Sequence, residues 1–69
     1  MIKDDERQRI GRLIASIRKD KGMSQRALGE ATGIQPCHIA RIELGKYSVG
    51  LDTLSKIAEA LGKKIGFEG

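Results

Sequence analysis

Cys37 and His38 are the chain's one thiol and one imidazole, and they stand side by side. A thiol at a helix start has its thiolate favoured by the helix dipole, so Cys37 is a candidate for reversible oxidation. A small apolar contact is the plainer use of the same side chain. Structural zinc takes four ligands in a tetrahedron, and two adjacent side chains with no ligand partners elsewhere do not supply them. The sequence also offers no serine–histidine–acid set and no glycine loop built to cradle phosphate. No catalytic residue, metal ligand or cofactor is therefore expected. Arg41 remains, with a planar fork of donors that can pair with O6 and N7 of guanine, an interaction worth roughly 1–3 kcal/mol of discrimination. A phosphate contact or a pairing along its own helix is the alternative use.

The stretch that must position these residues is QRALGEATGIQPCHIARIEL, from Gln25 to Leu44. Its spacing predicts two short helices joined by a turn at Gly33, where a positive φ suits glycine. Leu28, Ala31, Ile34, Ile39 and Ile42 are expected to form the inner surface, and Gly29 to allow a close approach of two helix backbones. Ser24 is the N-cap of the first helix, with Met23 stapled against Leu28. Gln35 and then Pro36, at the first helical position, open the second, which runs to Leu44. This is a helix-turn-helix pattern. On the second helix Ile39 and Ile42 face inward, and Pro36, Cys37, Ala40, Arg41 and Leu44 share an outward face. A helix fits the major groove of B-DNA, and residues near its N-terminal end reach base edges. Pro36 cannot hydrogen-bond a base, so readout there is by contact with a thymine methyl or by shape.

Flanking segments complete the scaffold. Asp4 or Asp5 is the expected N-cap of a preceding helix, Asp5 with Gln8 imitating a capping box. Ile10, Leu13, Ile14 and Ile17 make one apolar stripe along it, and Gly22 ends it. A last helix begins near Gly50 or Leu51, carries the stripe Leu51, Leu54, Ile57, Ala58 and Leu61, and stops at Gly62. The ending KKIGFEG alternates at Ile65 and Phe67 with the period of a strand. Either two copies pair there in a symmetric dimer, or the tail folds over its own core.

With 69 residues the chain is expected to form one domain, residues 1–69, with its core over 5–62 and a tail at 63–69. That is near the lower size at which one core suffices, so dimerisation is attractive for stability. The net charge of +4 favours an anionic partner without identifying it. A single cysteine rules out an internal disulfide, and no apolar run approaches the ~20 residues of a membrane span. The expectation is a cytoplasmic protein without a membrane partner.

The phrases KGMSQRALGEATGI, HIARIELGK and LDTLSKIAEALG resemble, in order and spacing, the repressor and Cro type of helix-turn-helix DNA-binding family, over about Ile10 to Leu61. The resemblance implies an all-α bundle of four to five helices, with the tail strand as its one non-helical candidate. It implies that Gln35, Pro36, Cys37 and Arg41 face bases, that Lys46, Tyr47 and Ser48 contact phosphate, and that Gln25 either clamps a phosphate or supports the reading helix. His38 is either phosphate-facing or solvent-exposed, and Tyr47 is alternatively a lid on the core. It further implies that Arg18 pairs with Glu43 to fix how the reading helix sits. The chain departs from the family pattern at Ala27, where an acidic residue is usual, and at Leu44, where asparagine is common. In antitoxin-like members a similar ending, here Ile65 and Phe67, pairs two copies. The implied function is a sequence-specific transcriptional regulator, a repressor or an antitoxin with a toxin partner, binding a palindromic operator in double-stranded DNA as a homodimer. An adaptor module built on the same fold is the alternative.

Overall fold

The apolar periods of the sequence are realised as helices in the computed structural model, which describes residues 2–66, with side chains from Glu6 onward. Among these residues there are four: α1 (Ile2–Asp20), α2 (Gln25–Thr32), α3 (Pro36–Glu43) and α4 (Leu51–Ala60). α1 packs on α3, and α2 packs on both α3 and α4. Ile14, Leu28, Ile39, Ile42, Ile57 and Leu61 are the buried centre, with Ile10, Ile17, Met23, Ile34, Val49 and Leu54 packed around them. Each fully buried Leu or Ile contributes about 1.5–3 kcal/mol relative to exposure.

Local chemistry sets the boundaries of the helix pair. The Ser24 hydroxyl accepts from the Ala27 amide at 2.9 Å, closing the first turn of α2. Gly33 takes φ 78°, and its N–H donates to the Gly29 carbonyl at 2.7 Å. A side chain at Gly29 would run into the Ile34 carbonyl oxygen. The close approach expected there is thus between α2 and the turn rather than between two helices. Gln35 is extended, with no side-chain cap, and Pro36 opens α3. Gly45, at φ 75°, ends it. The Lys46 amide donates to the Arg41 carbonyl at 3.0 Å and the Gly45 amide to that of Ile42 at 3.1 Å, as a left-handed cap requires.

Several expectations need correction. α1 begins at Ile2, so Asp4 and Asp5 lie inside its first turn and neither is an N-cap. Ala31 is exposed. The inward stripe of α2 runs through positions 25, 28, 29 and 32, and Ala31 falls outside that arc. Leu13 and Leu51 are 49% and 70% exposed. Leu13 lines an open groove between α1 and α4, and Leu51 sits at the leading edge of α4. No strand occurs among the described residues; 63–66 run without regular structure. Among the described residues no strand lies beside that backbone, and Ile65 lines the α1–α4 groove. Phe67 lies outside the described residues.

Candidate nucleic-acid interface

α3 is anchored from below by Ile39 and Ile42, which are 0% and 2% exposed. Its C-terminal end is held by charge. Glu43 Oε2 accepts from Arg18 Nε at 2.7 Å, and Oε1 accepts from Arg18 Nη2 at 3.0 Å. This is a two-pronged pair between α1 and α3. Arg18 and Glu43 are only 7% and 9% exposed. Burial of two charges is tolerable when each is paired and its remaining hydrogen bonds are made. Here the third arm of the guanidinium donates to the Met23 carbonyl at 2.8 Å. Gln25 Nε2 donates to Glu43 Oε1 at 3.0 Å. The hydrogen bonds that Arg18 donates to Glu43 raise its pKa, against the opposing effect of burial.

The opposite face of α3 is open. Pro36, Cys37, Arg41 and Leu44 are exposed along it, with Gln35 exposed just before its first residue. Leu44 is 64% exposed and does not enter the core of this chain. Among the described residues no carboxylate pairs with Arg41, so its fork is available to a ligand. The Cys37 thiol donates weakly to Gln35 Oε1 at 3.7 Å. His38 is half-buried, and its ring meets that of Tyr47 edge-on, with centroids 4.2 Å apart and planes at 66°. That contact ties the loop after α3 to the helix itself. Lys46, Tyr47 and Ser48 are all exposed on this loop.

The residues singled out from sequence therefore fall into three groups. Gln35, Pro36, Cys37 and Arg41 form one exposed face at the helix start and middle. His38, Lys46, Tyr47 and Ser48 flank it. Gln25 is turned toward Glu43, at the end of α3, where its amide braces the ion pair. Two close approaches of α1 to the end of α3 went unnoticed in the sequence. A Cβ on Gly11 would lie 2.5 Å from the carbonyl oxygens of both Ile42 and Glu43, so α1 receives the end of α3 directly against its backbone. Gln8 sits similarly close to Gly45, its Cγ 2.8 Å from where a Cβ would be. A glycine in mid-helix costs about 1 kcal/mol against alanine, and that cost was the available signal of a close approach. No helix among the described residues is long and apolar enough to cross a membrane. No group of three or more His, Cys, Asp or Glu converges among them.

The arrangement has counterparts. The profile of the Helix-turn-helix family matches residues 14–67. The chain is 34% identical over 56 residues to the immunity repressor protein of Bacillus phage phi105, covering 81% of this chain and 39% of that protein. It thus spans about two fifths of the repressor's length. A crystal structure of the clp gene regulator ClgR from C. glutamicum superposes with a TM-score of 0.83 at 32% identity, covering 86% of this chain and 76% of that chain. A further ClgR structure from Corynebacterium glutamicum gives a TM-score of 0.82 at 33% identity, over 84% of this chain and 62% of that one.

Proposed function

This chain belongs to the helix-turn-helix family of repressor and Cro type, and from that premise we propose that it is a DNA-binding transcriptional regulator that reads the major groove with α3. The observation that carries the reading is the two-sidedness of α3. One side is locked by Ile39, Ile42 and the Arg18–Glu43 pair. The other leaves Gln35, Pro36, Cys37 and Arg41 exposed together. A reader must hold its base-contacting side chains on a rigid element, because small misplacements forfeit bidentate geometry.

In this reading Lys46, Tyr47, Ser48 and His38 dock on phosphates, which fixes register without reading sequence. Gln25 contributes to the same docking and also braces Glu43. Arg41 pairs with a guanine, Gln35 reaches a neighbouring base edge, and Pro36 and Cys37 select by shape and apolar contact. A homodimer on an inverted repeat sets two reading helices in successive major grooves, about 34–36 Å apart. The body measures 31 × 25 × 22 Å, so two copies side by side are of a size that supports that spacing. Resemblance to a phage immunity repressor supports repression as the sign of regulation.

Arg41→Ala tests the assignment of the reader. Sites enriched from random duplex DNA are expected to lose preference at one base pair per half-site, a loss of roughly 1–3 kcal/mol at that position. An unchanged preferred sequence would remove Arg41 from the reading set.

A further inference from the structure

We infer that the outer face of α4 is where two copies of this chain pair, antiparallel about a two-fold axis; the inference rests on the dimeric reading above and assigns its surface. Positions 51, 52, 55, 58, 59 and 62 recur at i, i+1, i+4, i+7, i+8 and i+11, which is one face of a helix. With residues 63–66 they line an open concavity of about 830 Å3. Leu51 stands at its leading end, 70% exposed. Ser55, Ala58 and Gly62 leave the rest of the face without bulk, so another helix can come close.

The charges select the occupant. Asp52 lies at the leading end of the face, Lys63 and Lys64 at the far end, and Glu59 before them. Two acidic and two basic groups make this face neutral on a chain whose net charge is +4. A polyanion is a poor match for it, whereas a second copy meets no net repulsion there. Parallel pairing would set Asp52 on Asp52 and lysine on lysine. Antiparallel pairing sets Asp52 of each copy against Lys63 and Lys64 of the other, and two-fold symmetry makes every such contact twice. In the same register Leu51 covers Gly62 and approaches Ile65 of the second copy, while Ser55 faces Ala58. The one large exposed apolar side chain of α4 thereby gains an apolar seat, and small residues meet at the axis.

Charge reversal tests this on the full chain in the absence of DNA. Sedimentation equilibrium would compare the unaltered protein with Asp52→Lys, with Lys63→Asp/Lys64→Asp, and with all three changes together. The unaltered chain is expected to dimerise, and each partial reversal to weaken the dimer by about tenfold or more. The triple variant is expected to return to within about threefold of the original. All these side chains are exposed, so circular dichroism should show unchanged helicity in every variant. An unaltered chain that stays monomeric, dimers indifferent to the reversals, or weakening without rescue would overturn the assignment. Affinity for an isolated half-site, measured alongside, is expected to be equal in all four proteins. Its absence in the unaltered protein would count against DNA recognition itself, independently of the pairing face.

Discussion

Glu43→Ala is expected to destabilise the fold by about 3–5 kcal/mol, because it leaves a buried guanidinium without its counter-charge. Arg18 is 7% exposed, and after the change its only remaining acceptor among the described contacts is the Met23 carbonyl. The Gln25 amide would lose its partner at the same time. In a domain of this size each kcal/mol moves Tm by roughly 4–8 °C, so the loss should lower Tm on the order of 15 °C or more. The buried pair is not expected to be a large net stabiliser in itself. Replacing both members with apolar residues, Arg18→Met with Glu43→Leu, should recover much of the loss, since the cost lies in the orphaned charge. Urea unfolding of the single and double variants separates the two effects. A single-variant loss under about 1 kcal/mol would mean that the pair is effectively solvated, and α3 would then lack the electrostatic anchor described above.

Gly11→Ala is the second large effect, and its sign opposes simple helix propensity. On an exposed helix the change stabilises by about 1 kcal/mol. At Gly11 the added methyl meets the carbonyl oxygens of Ile42 and Glu43, each 2.5 Å from the ideal Cβ position. These are backbone atoms, so relief requires α1 and the end of α3 to separate. Overpacking of this kind typically costs about 1–3 kcal/mol. That separation would also pull Glu43 from Arg18, so the penalty should sit at or above the top of the range. Thermal unfolding of the variant decides the matter. A raised Tm would show that α3 does not sit against this point of α1.

The elements of the fold are written in short-range chemistry, which is why they can be read directly. Ser24, Gly33, Pro36 and Gly45 act within one turn of their own backbone. Ile14, Leu28, Ile39, Ile42 and Ile57 follow the period of the helices that bury them. Edges of the apolar stripes are less legible, because burial there depends on which helices meet. Leu13 and Leu51 carry the same periodic signal as Ile14 and Leu54, yet α1 and α4 leave a groove between them and no described helix covers the outer face of α4. Ala31 fails for a related reason, since the contact arc of an eight-residue helix is narrow. The tail shows the limit of period alone. Alternation at Ile65 and Phe67 suits a strand, but a strand exists only with a neighbour, and 63–66 lie against the groove instead.

At the interface, family spacing brought Arg18 and Glu43 together in the sequence, and the structure adds what spacing does not contain. The Gln25 amide completes the coordination of Glu43, a contact across 18 residues. His38 and Tyr47 meet as rings, a contact that neither residue's sequence reading contained. Gly11 is a glycine in mid-helix whose neighbour is defined only once α3 is docked. Each is a long-range consequence of packing rather than a local preference.

The central claim is that α3 reads DNA sequence, and it is tested most directly by enriching binding sites from random duplex DNA and titrating the winner at several salt concentrations. An inverted repeat with half-site centres about 34–36 Å apart is expected. The logarithm of affinity should fall with that of salt, at a slope of about 0.9 per neutralised phosphate. Weak, salt-sensitive binding with no enriched sequence would contradict it, leaving a basic domain whose exposed α3 face serves some partner other than the base edges of DNA.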